Sequence, residues 1–135
     1  MKKLIVGLLA LFILSACTGG TSASITGRWE LVSHGSVSSQ TPAAPDVDTS
    51  IEFGSDGALS GNVGCNGFGG DYEVGGDTIT FRSVVSTLMF CEGPVGEQEA
   101  ATLAVFQGSA KFVLDGNTLT ITSSDGNSVI VLARK

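Results

Sequence analysis

The sequence predicts a mainly β (α+β) domain: an antiparallel sheet of about eight strands, curled into a barrel or half-barrel, with one helix inserted before the last three strands. Three observations carry this expectation. Apolar and polar residues alternate over short runs, as a strand with one buried face requires. Turn signals such as Ser55-Asp56-Gly57 and Asp115-Gly116-Asn117 join those runs. Glycine is abundant and proline scarce, at 19 and 3 residues, which favours strands and tight turns over a helical bundle or disorder.

The chain opens with Lys2 and Lys3, an apolar run from Leu4 to Leu14, and then Leu14-Ser15-Ala16-Cys17. That order is the layout of a secretory signal, and the run falls short of the roughly 20 residues a spanning helix needs. The four residues ending at Cys17 resemble the bacterial lipobox, in which small residues let a peptidase cut just before a lipid-bearing cysteine. Residues 1–16 are therefore expected to be a lipoprotein signal peptide and Cys17 the lipidated residue, with palmitate among its chains. The competing reading is an ordinary secreted protein with a spare cysteine. Two or more acyl chains, at about 0.8 kcal/mol per buried methylene, make such an anchor permanent. Residues 17–25 are expected to be the anchor and a flexible tether, because Thr18 to Ser24 is small and polar. A tether of that length spans roughly 15 Å root-mean-square and keeps the domain at the bilayer surface. The expected location is the cell envelope. With two membranes, Thr18 in place of Asp points to the outer one, facing the periplasm; otherwise the anchor sits on the outer face of the cytoplasmic membrane.

Residues 26–135 are enough for one domain with one modest core. Removing the signal takes away two lysines and no acids, so the net charge moves from −6 to −8. Nucleic acid is an unsuitable partner for a chain without clustered Lys and Arg, and acidity also disfavours lying flat on anionic lipid. Nothing in the sequence points to an oligomer, and a monomer is expected.

The first strand begins at Gly27, where Trp29 and Leu31 alternate with Arg28 and Glu30. The polar stretch from His34 to Thr49, with Pro42 and Pro45, reads as a long mobile loop. Ile51 and Phe53, the turn at Asp56-Gly57, and Leu59 and Val63 make one hairpin, and Asp71–Val74 with Thr78–Phe81 make a second. Between Pro94 and Gly108 the period lengthens: Ala100, Leu103, Ala104 and Phe106 predict a helix, with Glu97 and Glu99 assigned to its first turn. Three strands close the chain, over Lys111–Leu114, Thr118–Ile121 and Val129–Leu132. The last lacks clean alternation, so cover on both faces is expected. Such a sheet hides its edges most economically by curling around the helix.

With Cys17 acylated, Cys65 and Cys91 are left as an even pair in an oxidising compartment, and a disulfide is the first hypothesis. Two buried free thiols are an alternative. A metal site is a weaker one, since zinc wants further ligands and the sole histidine, His34, lies in the distant loop. No metal or cofactor is therefore expected. A Cys65 nucleophile with His34 as base has no support in the spacing. The run Gly61–Gly70 lacks the Gly-Lys-Ser/Thr ending of a phosphate loop and reads as backbone accommodation: positive φ, bulges or close strand approach, with Asn66 in a left-handed position. Asp71, Glu73, Glu97 and Glu99 read as solvated carboxylates. No convergent catalytic set appears.

Gly27-x-Trp29-x-Leu31, Gly64-Cys65-Asn66 followed by Gly70-x-Tyr72, Thr87-x-Met89-x-Cys91, the Glu97 to Phe106 helix and Asn117-Thr118-Leu119-Thr120-Ile121 together resemble the META domain family, also called HslJ-like. The Gly-Cys-Asn and Thr-x-Met-x-Cys segments are its most specific parts, and the resemblance adds weight to the Cys65–Cys91 pair. Two positions depart from the family pattern. The resemblance implies that members often carry a larger polar residue where Gly67 stands and commonly a small one where Phe90 stands, so a change in the local surface is expected at each. The resemblance implies a compact β-rich envelope domain, frequent on lipoproteins and in some members linked to stress responses, with no established enzymatic activity to carry over.

The expected function is thus a non-catalytic, membrane-anchored accessory or binding module, its partner an envelope protein or a small ligand. Asn66, Phe68 and Tyr72 are the candidate surface. Two alternatives accompany it: a tethered protease inhibitor presenting residues 34–49 or 66–70, and a carrier holding a small hydrophobic ligand inside the barrel.

Overall fold

The computed structural model describes residues 24–135. The expected signal peptide, Cys17 and nearly all of the tether lie outside the described residues. Nine strands and one helix follow one another: β1 (Gly27–Ser36), β2 (Ser39–Pro42), β3 (Ser50–Phe53), β4 (Ala58–Asn62), β5 (Gly67–Gly75), β6 (Thr78–Ser86), α1 (Gly93–Val105), β7 (Ser109–Asp115), β8 (Thr118–Thr122) and β9 (Val129–Arg134). Every pairing is antiparallel. Neighbours in sequence pair in order from β3 to β9, and β1 pairs with both β3 and β9, so eight strands close into a barrel. Closure removes the free edges that an open sheet of this size would leave.

Inside, the alternating residues do what their period demands. Ile51 and Phe53 of β3 are buried and Glu52 between them is exposed; Leu119 and Ile121 of β8 point inward likewise. Trp29, Leu59, Ile79, Ile130 and Leu132 join them, so side chains fill the interior. Two-residue turns join β5 to β6 and β7 to β8, Gly116 taking the left-handed conformation (φ 57°) that the Asp115–Thr118 turn requires. In β9, Val129 and Ile130 are both buried and Val131 half-buried, which accounts for the missing alternation.

Two expectations change along the first sixty residues. The stretch from His34 to Thr49 is not one loop, because β1 runs on to Ser36, turns, and pairs with β2 through Ser33–Pro42 and Ser36–Ser39. This polar ribbon lacks an apolar alternation to announce it, all four β2 residues being exposed. Beyond it the chain is tied down: Ala43 N–H donates to the Val32 carbonyl (2.8 Å) and the Thr49 hydroxyl accepts from Leu31 N–H (2.8 Å). Ile25, read as tether, is buried as well, its carbonyl accepting from the indole of Trp29 (2.8 Å).

The helix also differs from its sequence reading. It starts at Gly93 with Pro94 in its first turn, so Glu97 and Glu99 fall beyond that turn. Its buried face is Gln98, Glu99, Thr102 and Val105, continued by Phe106, while Ala100 and Ala104 are exposed. Phe106 packs against Phe68 (ring centroids 5.4 Å) and Phe81 (4.9 Å), seating the helix across one end of the barrel.

Within the glycine-rich run, Gly61, Gly64 and Gly70 are explained by contact and not by dihedral freedom. Among the described residues none of Gly61, Gly64, Gly67, Gly69 or Gly70 has positive φ, and the one non-glycine residue that does is Ser83 (φ 54°), not Asn66. Gly70 sits where the β5–β6 register shifts, and a Cβ there would lie 2.9 Å from the Arg82 carbonyl oxygen and from Val84. Gly70→Ala is expected to lower stability by about 1–3 kcal/mol, as overpacking does. Gly75→Ala, which meets nothing within 4 Å, should stay within about 0.5 kcal/mol of wild type; equal urea midpoint shifts would contradict the close-approach explanation.

Candidate functional site

At the helix end of the barrel, one carboxyl group ties α1 to the segment before β5, and Asn66 in turn ties that segment to the β6–α1 connection. Glu99, on the inward face of α1 and 6% exposed, accepts at Oε2 from the backbone N–H of Cys65 (2.9 Å) and of Asn66 (3.0 Å), and at Oε1 from Asn66 Nδ2 (2.6 Å). Burial of a carboxyl group is tolerated only when donors replace water, and these three N–H groups do so. The preceding residue extends the same device. Gln98 Nε2 donates to the Val63 carbonyl (2.5 Å) and its Oε1 accepts from Ala44 N–H (2.8 Å).

Asn66 is the second hinge of the cluster. Its Oδ1 accepts from Met89 N–H (2.8 Å) and the Thr87 hydroxyl (2.8 Å), and its Nδ2 also donates to the Met89 carbonyl (3.0 Å). The side-chain amide thus pairs with Met89 as a neighbouring strand would. Cys65 and Cys91 form a disulfide, Cα–Cα 6.0 Å, across 26 residues of sequence. Gly64 leaves room for Glu99, whose Cβ would lie 2.9 Å from any Cβ at that position. The Gly-Cys-Asn and Thr-x-Met-x-Cys segments therefore have one physical purpose, which is to dock the β6–α1 connection onto the start of β5.

What that connection displays is apolar. Leu88 is 95% exposed, Phe90 87% and Met89 61%, with Val85 of β6 beside them at 71%. A shallow open groove lined by Ser86, Thr87, Leu88, Phe90, Ala100 and Leu103 runs between this loop and the helix. Exposed apolar residues held rigid in a contiguous group mark an interaction surface more often than scattered ones do.

The residues chosen from sequence do not share one place. Asn66 (4% exposed) and Phe68 (7%) are buried, so neither offers the surface expected of it: the first is spent on Met89 and Glu99, the second on Phe106. Tyr72 is half-buried toward the opposite end, its hydroxyl donating to the Gly54 carbonyl (2.6 Å) and its ring edge-on to Phe53 (5.0 Å). Residues 66–70 are no free loop for an inhibitor, since Gly67 onward is β5. Asp71 is exposed, and exposed Glu73 pairs with Arg82 (3.0 Å). Glu99, read as solvated, is the reverse. Gln98, Glu99, Thr102, Val105 and Phe106 share one helical face, but polar residues on a buried face carry no apolar signal to be read.

His34 also departs from expectation, lying buried on β1 opposite Ile130. Burial pushes its pKa down, and the Glu97 carboxylate partly opposes the shift. Among exposed groups, hydrogen bonding to Lys111 lowers the Asp77 pKa and hydrogen bonding to Ser123 lowers that of Asp125.

A closed antiparallel barrel with a helix across one end and a stapled polar cluster beneath an apolar loop defines the class of domain. The chain belongs to the META domain family, whose model matches residues 23–135. No curated protein matches. Solved structures with the same fold include an NMR structure of a protein from Burkholderia xenovorans, at 18% identity and TM-score 0.65, covering 81% of each chain. A second NMR structure has 23% identity and TM-score 0.60, over 78% of this chain and 86% of that one. A crystal structure of a DUF4847 family protein from Bacteroides vulgatus ATCC 8482 has 15% identity and TM-score 0.57, over 82% and 93%. At these identities the likeness concerns the fold alone.

Two outcomes are expected. Asn66→Ala strands the Met89 amide and the Thr87 hydroxyl, and should lower the unfolding free energy by about 2–3 kcal/mol in urea. For His34, the unfolded chain takes up a proton near its ordinary value of about 6.5 before the folded one does, so its contribution is intact above that pH and declines as pH falls through the lowered folded value. The urea midpoint should drop between about pH 7.5 and about pH 5.5, and His34→Gln should flatten that drop. The aspartates with lowered pKa act below this window, so an unchanged slope in the variant would refute the assignment.

Proposed function

We propose that this protein is a non-catalytic accessory module of the cell envelope, tethered to a membrane through lipid on Cys17, which binds a protein partner through the apolar loop Leu88-Met89-Phe90. The observation that carries the reading is the contrast within that loop: its backbone is pinned by Asn66 and the Cys65–Cys91 bond, while its large side chains stand in solvent. A loop kept rigid before contact loses little entropy on binding. The charged groups around the barrel are surface ion pairs such as Lys111–Asp77 (3.0 Å) and Arg82–Glu73, which supply no convergent acid, base and nucleophile.

The position of the loop supports a protein partner over the membrane that would hold the anchor. Ser24 and Thr26, where the chain enters the domain, are fixed by Arg134 (2.9 and 3.0 Å to their carbonyls), whose guanidinium lies over Trp29 (4.2 Å). That entry is at the end of the barrel holding the Asp115–Thr118 turn, and the apolar loop is at the other. A tethered domain would present the loop away from the bilayer. The filled interior weighs against a ligand carrier, and the tied-down segment after β2 weighs against an inhibitory loop there.

Photo-crosslinking in intact cells tests both parts. A crosslinking residue at Leu88 or Phe90 is expected to capture a discrete envelope protein, and one at exposed Val113 on β7 is not. Labelled palmitate should enter the wild-type chain and not Cys17→Ser. Adducts to lipid alone, or equal capture from both positions, would overturn the binding surface; label retained in Cys17→Ser would overturn the anchor.

A further inference from the structure

The staple and the buried carboxyl group of α1 are closer than stapling requires. One ligand atom each from Cys65, Cys91 and Glu99 lies within 4.8 Å of the other two, with Glu99 buried and both cysteines half-buried. We propose that reduction of the Cys65–Cys91 bond converts this point into a binding site for a thiophilic divalent cation, with two thiolates and one Glu99 oxygen as protein ligands and water as the fourth. The inference stands apart from the binding-module reading and does not depend on it.

Geometry and ligand type both favour a tetrahedral ion of the zinc class. Metal–sulfur and metal–oxygen distances near 2.3 and 2.0 Å place donors about 3.5–3.8 Å apart around a tetrahedral centre. The three groups already fall within reach of that spacing, and opening the S–S bond frees both side chains to rotate into it. Each cysteine backbone is held independently of the sulfur: Cys65 N–H is bonded to Glu99, and the loop carrying Cys91 is pinned at Met89 by Asn66. The frame thus has attachments that reduction does not break. Glu99 Oε2 accepts two N–H bonds and Oε1 one, which leaves a lone pair on Oε1 for a metal. Those same bonds fix its orientation, as outer partners do for metal ligands. Among the described residues Glu99 has no cationic partner, so a divalent ion would meet an uncompensated charge. Thiolate donors select soft or borderline ions over Mg(II) and Ca(II). The groove beside Ser86, Thr87 and Ala100 gives a path for entry and for the water ligand.

The chemistry balances with a named reductant. A dithiol reduces the bond by exchange, its own two sulfhydryls becoming a disulfide while Cys65 and Cys91 each gain a proton. A phosphine does the same with water, leaving as phosphine oxide. Binding of M(II) then displaces the two thiol protons to solvent.

The test uses the full chain carrying Cys17→Ser in detergent, which leaves two sulfhydryls after phosphine reduction, with Co(II) as the probe and Zn(II) as competitor. One Co(II) per reduced chain is expected, with thiolate-to-cobalt charge-transfer absorption, tetrahedral d–d bands and complete displacement by Zn(II). The unreduced chain should give no charge-transfer band. Glu99→Gln should keep the band and weaken Co(II) binding roughly tenfold or more, and Cys91→Ser should abolish it. Near-UV circular dichroism of buried Trp29 reports whether the barrel persists. Absence of the band in reduced chain, its persistence in Cys91→Ser, unchanged affinity in Glu99→Gln, or loss of the Trp29 signal with cobalt bound would each overturn the proposal.

Discussion

The Glu99 carboxyl group and its three N–H donors hold the helix to the start of β5, and most of what is distinctive at that end of the molecule follows from them. A charged or strongly polar group removed from water must find partners of fixed geometry, and it finds them in backbone amides that have no strand to satisfy them. Gly64 has to be small, Asn66 has to present an amide, and α1 has to turn a polar face inward. The disulfide then joins segments that hydrogen bonds already hold in place.

The barrel and this cluster divide the work differently. Closure of β1 on β9 and the filled interior make a self-sufficient unit that resembles others of its fold at below 25% identity. Its core is hydrophobic and tolerant in detail, as cores are when volume and alternation are kept. The polar cluster is less tolerant, because each member is the sole partner of another. It is also the part that shapes the surface, since the loop it pins carries Leu88 and Phe90 into solvent.

Much of the fold was legible from residues. The hairpins at Ile51–Val63 and Asp71–Phe81, and the last three strands, declared themselves through alternation and turn chemistry. The cysteine pair was readable from parity. The β1–β2 ribbon escaped because neither face is apolar, and the helix face was misplaced because Gln98, Glu99 and Thr102 are polar yet buried. Asn66 and Phe68, expected at the surface, are buried, for sequence gives composition and spacing but not which side of a residue meets solvent.

By itself the sequence determined the antiparallel hairpins, the late helix and the inward residues of most strands, and made a Cys65–Cys91 disulfide the first hypothesis, because these depend on short-range periodicity and on counting. Only the tertiary structure decided that Glu99 is a buried anchor, that Asn66 substitutes for a strand, and that Leu88, Met89 and Phe90 are exposed. Those outcomes depend on contacts far apart in the chain, such as Asn66 with Met89 across 23 residues and Glu99 with Cys65 across 34, where no local period links the partners and only folding brings them together.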